Sequence, residues 1–291
     1  MTPRPALLVV NSHSRRGAGA AEAVARALQA AGVPVLAREC HRVGELSDLI
    51  RAVRNEVASV VIGGGDGTLN AAAPGLLDTG LPLGIIPLGT ANDLARTLNI
   101  PSDLALSARI IAAGRLHRVD LGEVNGHLFF NVANIGFGVD LTRALTRDTK
   151  RRFGPLGYAV AGLRAVSRLR PFRAEIIHGS VTHVSRTVHV AVGNGRHYGG
   201  GMTVAQDACI DDGRLNVYSL EVDTFWRLLK LLPALRSGRH DIWEEIRALE
   251  GEAVVIRTPG RPRSVSADGE IVTRTPAYFR VRPGAVGMFV P

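Results

Sequence analysis

Val60-Val61-Ile62-Gly63-Gly64-Gly65-Asp66-Gly67-Thr68 is the stretch whose reading decides the fold. Three β-branched apolar residues read as a buried strand, and the apolar pattern running from Thr68 through Leu77 reads as a helix. The glycines therefore occupy a strand-to-helix turn. Without Cβ atoms, such a turn lets backbone approach a polyphosphate, and the helix start behind it offers N–H groups that have no partner inside the helix. A tight turn alone also explains a glycine cluster. Asp66 tips the balance toward a ligand. Its carboxylate repels phosphate, so its place in the cluster makes sense if a Mg²⁺ ion, its water shell or a sugar hydroxyl lies between them.

On either side of this turn, to about residue 121, short β-branched runs alternate with alanine-rich helical segments. Strands are expected at Ala6 to Val10, Val33 to Ala37, Ala58 to Ile62 and Leu83 to Ile86, with helices near Ala18 to Ala31, Glu45 to Arg54, after Thr68 and near Asp103 to Ala113. That rhythm predicts a parallel sheet covered on both faces. After Val119 the pattern changes: Asn125-Gly126 is a hairpin signal, and later strands (Ala174 to Ile177, Thr187 to Val192, Leu215 to Leu220, Ala253 to Ile256, Phe279 to Val281) are separated by turn residues. The expected fold class is α/β, with a doubly wound Rossmann-like domain over 1–121 and an antiparallel β-sandwich-like domain over 122–291, whose last strand is free to return to the first domain. Two basic amphipathic segments, Lys150 to Arg170 and Phe225 to Arg236, suit either packing on their own domain or a lipid interface.

The 291 residues are 46% apolar and 21% charged, a globular composition. No apolar run approaches the roughly 20 residues needed to span a bilayer, and no charged-then-apolar leader is seen, so a cytoplasmic protein is expected. Cys40 and Cys209 lack the spacing of a zinc site or a disulfide scaffold. A net charge of +9 attracts anions, whether nucleotides, nucleic acid or acidic headgroups. Aromatic content of 5%, without a basic-aromatic stripe, argues against nucleic acid.

Three further segments carry polar groups to turns. Pro87-Leu88-Gly89-Thr90-Ala91-Asn92-Asp93 follows a buried strand, so it is expected to meet the first loop in the crevice at the carboxyl ends of the sheet; helix capping by Thr90 is the local alternative. Leu7 to Val10 leads into Asn11-Ser12-His13-Ser14-Arg15-Arg16-Gly17, with groups suited to ribose and phosphate; His13 reads as an exposed loop histidine. Ser266-Ala267-Asp268-Gly269-Glu270 reads as a hairpin tip or as the source of a general base.

Taken together, Gly64 to Thr68 with Asn70, Pro87 to Asp93, Val119 to Gly122, Asn131 to Gly138, Asp211 to Gly213 and Asp268 to Glu270 resemble the soluble bacterial diacylglycerol kinase and YegS-like lipid kinase family, related to sphingosine and ceramide kinases. GGDGT also occurs in NAD kinases; PLGTxND and the terminal DGE separate the lipid kinases from them. The resemblance implies an ATP- and Mg²⁺-dependent kinase acting on a hydroxyl of diacylglycerol or a similar membrane lipid, peripheral at the anionic inner membrane face, with a homodimer admissible. It assigns ATP binding to Asn11, Ser14, Gly64, Gly65, Asp66, Gly67, Thr68, Asn70 and Thr90, and a magnesium network to Asp66, Asp93 and Asp120. It makes Glu270 the general base with Asp268 beside it, and puts a structural magnesium at Asp212 with the carbonyls of Cys209 and Arg214. The family's first loop reads asparagine-proline-x-serine-glycine, whereas this chain has Asn11-Ser12-His13-Ser14-Arg15. A soluble-substrate kinase of the NAD kinase type and an inactive nucleotide-binding membrane module are the alternatives.

Overall fold

The computed structural model describes residues 4–11, 19–40, 42–137, 139, 171–195, 197–198, 202–203, 209–221 and 246–291. Ser14 and the two basic amphipathic segments lie outside them. The first half alternates as its periodicity predicts: β1 (Ala6–Val10), α1 (Ala20–Ala30), β2 (Val35–Ala37), α2 (Leu46–Ala52), β3 (Ser59–Gly64), α3 (Asp66–Thr79), β4 (Leu83–Pro87), α4 (Asp93–Thr97) and α5 (Leu104–Ala113). The strands run parallel in the order β2-β1-β3-β4. One core lies on each face of this sheet: Leu7, Ile62, Leu69 and Leu76 on one side, and Leu8, Val24, Leu28, Val61 and Ile111 on the other. Period-2 alternation within strands sends neighbours to opposite faces, so strands covered on both sides read as continuous apolar runs.

Helix α3 contains Pro74, which has no N–H to place in the helical ladder. The next turn is held from outside. The Ser47 hydroxyl of α2 donates to the Ala71 carbonyl at 2.7 Å and accepts from the Gly75 N–H at 2.9 Å, standing between two groups that would otherwise bond to each other. A Cβ on Gly75 would sit 2.7 Å from the Ser47 carbonyl oxygen, so glycine is what lets the two helices meet.

The strands of the second half among the described residues are β5 (Leu116–Val124), β6 (His127–Phe129), β7 (Val132–Gly136), β8 (Phe172–His178), β9 (Val181–Thr187), β10 (His189–Gly193), β11 (His197–Tyr198), β12 (Met202–Thr203), β13 (Leu215–Leu220), β14 (Ile246–Gly251), β15 (Ala253–Arg257), β16 (Ser264–Ala267), β17 (Glu270–Arg274) and β18 (Ala277–Phe289). An antiparallel sheet β14-β13-β10-β7-β16-β17 faces the extension of the first sheet by β18, β15, β8, β9, β5 and β6. Val190, Val192, Val217 and Val265 of one pack against Ile176, Val254, Ile256 and Phe279 of the other, which makes a β-sandwich core.

Strand β18 is longer than its sequence suggests. Pro283-Gly284 reads as a strand end, yet pairing with β5 resumes after a register shift between Arg282 and Val286, and Met288 pairs parallel with Leu83 of β4. Gly284 takes the positive φ of 53° that the irregularity requires. One strand is thereby shared by the parallel sheet and the sandwich. Beside it, burial raises the pKa of the Glu123 carboxyl, but hydrogen bonds from Arg280 and Arg282, both 2.6 Å, outweigh this and hold it below the usual carboxylate range.

His189 of β10 is 4% exposed, and burial depresses its pKa from 6.5 to about 4 against a smaller upward pull from the Ile135 carbonyl. The folded protein keeps this ring neutral where the unfolded chain takes a proton. Stability from this site is thus full above about pH 6.5 and falls by roughly 3 kcal/mol as the pH drops toward 4. Urea unfolding between pH 4 and 7 should show that decline, and His189→Gln should flatten it by close to one proton.

Candidate active site

In the order β2-β1-β3-β4 the chain direction of winding reverses between β1 and β3, and open α/β sheets bind ligands at the carboxyl ends of the strands flanking such a point. Here those ends are Asn11, after β1, and Gly63 to Gly65, which end β3 and lead out of it. The Asn11 N–H donates to the Gly63 carbonyl at 2.9 Å, and its side-chain amide donates to Thr68 Oγ1 at 3.0 Å. Asn11 therefore fastens the end of β1 to the start of α3.

The second loop arrives from β4. Leu88 N donates to the Gly64 carbonyl at 2.9 Å, and the backbones of Gly65 and Gly89 touch: a Cβ on Gly89 would lie 2.5 Å from the Gly65 Cα and 2.6 Å from Asn92 Oδ1. Asn92, at a φ of 50°, closes the loop by accepting from Gly89 N at 2.9 Å and donating to the Gly89 carbonyl at 3.1 Å. Asp66 Oδ1 then accepts the Leu94 N–H at 3.1 Å, bridging the two helix starts. Asp93 is buried at the head of α4, while Thr90 is exposed at the loop tip.

Glycines in this crevice serve two ends. Gly64 and Gly65 are crowded by Thr68 and Gly89 respectively, so protein packing demands them. Gly67 differs: a Cβ there would meet nothing within 4 Å, and its φ is ordinary. Thr68 N and Leu69 N turn back to the Gly65 carbonyl, so the N–H groups of Asp66 and Gly67 precede the first intrahelical bond and point out of the helix end. This open, uncrowded helix start suits a phosphate chain.

Hairpin β16–β17 reaches the site through a two-residue turn. Asp268 and Gly269 have φ of 44° and 87°, and Ala267 pairs with Glu270, as in a type I′ hairpin. The Asp268 carboxylate accepts Asn70 Nδ2 at 2.7 Å, Phe130 N at 2.7 Å, Asn131 N at 3.0 Å and Val132 N at 3.1 Å. Burial lifts the Asp268 pKa, with these four donors working against it. All four neighbours are donors, so the group is an acceptor only, and the expectation of a catalytic Asp268 beside Glu270 gives way to a holding role. The expectation that Asn70 binds nucleotide changes with it: Nδ2 donates to Asp268 and, at 3.2 Å, to the Leu128 carbonyl, which occupies both amide protons. Glu270 is exposed at the start of β17.

The expected magnesium trio does not assemble. Asp120 is 2% exposed, and its two oxygens accept Gly213 N at 2.7 Å and Gly284 N at 2.6 Å, because the β18 irregularity and the Asp211–Gly213 turn leave main-chain donors that need a buried acceptor. No group of three or more His, Cys, Asp or Glu side chains among the described residues is arranged to hold a metal. Asp66 accepts the Leu94 N–H through Oδ1 alone, an arrangement that fits Mg²⁺ held by one or two carboxylates together with substrate phosphates. Asp212 Oδ1 accepts Arg214 N at 2.8 Å in a local turn, with Cys209 and Arg214 exposed. Asn194, which the sequence reading missed, donates through Nδ2 to the carbonyls of Asp120 and Phe130 at 3.0 and 2.9 Å. No local signal marks it, since both partners lie more than sixty positions away.

Residues 5–124 match the diacylglycerol kinase catalytic domain. Residues 133–290 match the YegS C-terminal NAD kinase beta sandwich-like domain. The chain is 30% identical over 293 residues to "Probable lipid kinase YegS" of Shigella boydii, covering 98% of this chain and 95% of the relative. It is 35% identical over 215 residues to "Probable lipid kinase YegS-like" of Klebsiella pneumoniae, 72% of each. In fold it is similar to a diacylglycerol kinase crystal structure from Bacillus anthracis, with a TM-score of 0.79 and 21% identity over 100% of this chain and 98% of that one.

Two glycine substitutions should separate packing from ligand binding. Gly67→Ala should leave thermal stability unchanged or raise it by up to about 1 kcal/mol, since alanine is the better helix former, while weakening ATP-analogue binding in calorimetry by about tenfold, or 1.4 kcal/mol. Gly89→Ala should lower the unfolding free energy with or without nucleotide, by about 1–3 kcal/mol, as its Cβ meets backbone.

Proposed function

The chain belongs to the YegS-like lipid kinases with a diacylglycerol kinase catalytic domain, and we propose that it transfers the γ-phosphoryl group of ATP to a hydroxyl of diacylglycerol or a similar membrane lipid. The observation that carries this reading is the meeting of Asn11 with the Gly64–Thr68 and Gly89–Asp93 loops at one crevice of the parallel sheet, with the Asp268–Glu270 hairpin tied to the same helix α3. Positive helix-end charge and backbone N–H groups at Asp66 and Gly67 hold phosphate oxygens. Thr90 and the open face of Gly67 border the path of the phosphate chain.

The acceptor hydroxyl oxygen attacks the γ-phosphorus in line, its proton passes to the Glu270 carboxylate, and the bond to the bridging oxygen breaks so that ADP leaves. A magnesium ion bound through Asp66, with Asp93 close by in sequence to the bridging Leu94 N–H, would neutralise charge on the phosphates. Glu270 lies on an exposed strand start, open to a bulky acceptor. No helix among the described residues is long and apolar enough to cross a membrane. In this reading the lipid is met at the membrane surface, where the net charge of +9 favours an anionic face.

Incubation of the protein with γ-labelled ATP and diacylglycerol, a total lipid extract or NAD⁺ tests this directly. Label is expected in a lipid fraction, and Glu270→Gln should lower the rate by roughly a hundredfold or more with ATP binding retained. Label in NAD⁺ alone, or full activity in the variant, would sink the reading or its choice of base respectively.

A further inference from the structure

We propose that Asn70 and Asp268 form a positioning joint through which the phosphate-loop helix α3 sets the orientation of Glu270, so that occupancy of the phosphate site and placement of the proton acceptor are coupled. The inference rests on the lipid-kinase reading and on Glu270 as the base. It starts from spacing: Asp66 and Asn70 are four residues apart on α3 and so share one face, one turn from each other. The upper of the two, Asp66, receives the Leu94 N–H of the second loop. The lower, Asn70, donates to Asp268 at 2.7 Å.

Asp268 is then the pivot of its hairpin. Its side chain is gripped by three successive main-chain N–H groups, those of Phe130, Asn131 and Val132, and its own N–H donates to the Val132 carbonyl at 2.9 Å. The backbone at Asp268 is left-handed, a conformation that a non-glycine residue keeps only when its surroundings enforce it. Only Gly269 separates this gripped residue from Glu270. A displacement of α3 is transmitted through the short Asn70–Asp268 bond to a two-residue turn, which has little freedom to absorb it. Loss of about 1 Å in the placement of a reacting group can lower rate on the order of a hundredfold, so a joint of this kind affects chemistry more than binding.

The distinguishing experiment is a kinetic cycle. Asn70→Ala is expected to lower kcat about tenfold or more while the KM for ATP stays within about threefold, and the same substitution in a Glu270→Gln background is expected to have almost no further effect. A rise in the KM for ATP at unchanged kcat would make Asn70 a nucleotide ligand and overturn the joint. So would a loss of equal size in both backgrounds, which a structural role gives.

Hydrogen exchange on the wild-type chain keeps the test decisive if Asn70→Ala does not fold. A non-hydrolysable ATP analogue should slow exchange at the Gly269 to Ile271 amides; unchanged exchange with the phosphate site filled would overturn the coupling. If exchange slows but wild-type protein labels no lipid, the lipid-kinase reading falls and the joint stands.

Discussion

Contact between the backbones of Gly65 and Gly89 is the constraint on which the site depends. A Cβ on Gly89 would lie 2.5 Å from Gly65 Cα, closer than any side chain allows, so the loops after β3 and β4 come together only because neither carries one. From that contact follow the Leu94 N–H on Asp66, the Asn92 clasp on Gly89, and the alignment of helices α3 and α4 at one crevice. Asn11 ties the end of β1 to the same place through Thr68. Spread along the chain, these residues act together because the reversal of strand order between β1 and β3 leaves the sheet open at that edge.

Around the crevice, the molecule solves one recurring problem with one device. Irregular backbone that is buried leaves N–H groups in need of acceptors, and an unpaired buried donor costs about 1–3 kcal/mol. Asp120 accepts two such donors at the β18 irregularity, and Asp268 accepts three at the entry to β7. Each carboxylate is itself costly to bury, and the convergent donors offset that cost. Asn194 and Asn131 continue the lattice, with Asn194 donating to both carbonyls beside these carboxylates. The same acidic side chains that invite a metal or catalytic assignment are thus claimed by the fold.

Strand β18 makes the two halves mechanically one. It pairs parallel with β4 near its end and antiparallel with β5 and β15 along its length, so the parallel sheet and the sandwich share hydrogen bonds rather than a flexible linker. Its outward Arg280 and Arg282 converge on Glu123, which locks the shared strand to β5.

What the sequence determined by itself was what depends on near neighbours. Alternation of β-branched runs with helical periodicity, the glycine turn at Gly63 to Gly65, the Asn125-Gly126 hairpin and the Asp268-Gly269 tip are local patterns, and local sterics make them legible. Tertiary structure alone decided which polar side chains remain available for chemistry. Asp120 meets Gly213 and Gly284 across 93 and 164 positions, and Asn70 meets Asp268 across 198. An aspartate looks the same in sequence whether it awaits a cation or satisfies a main-chain nest, because the difference lies in donors brought to it only when distant strands pair.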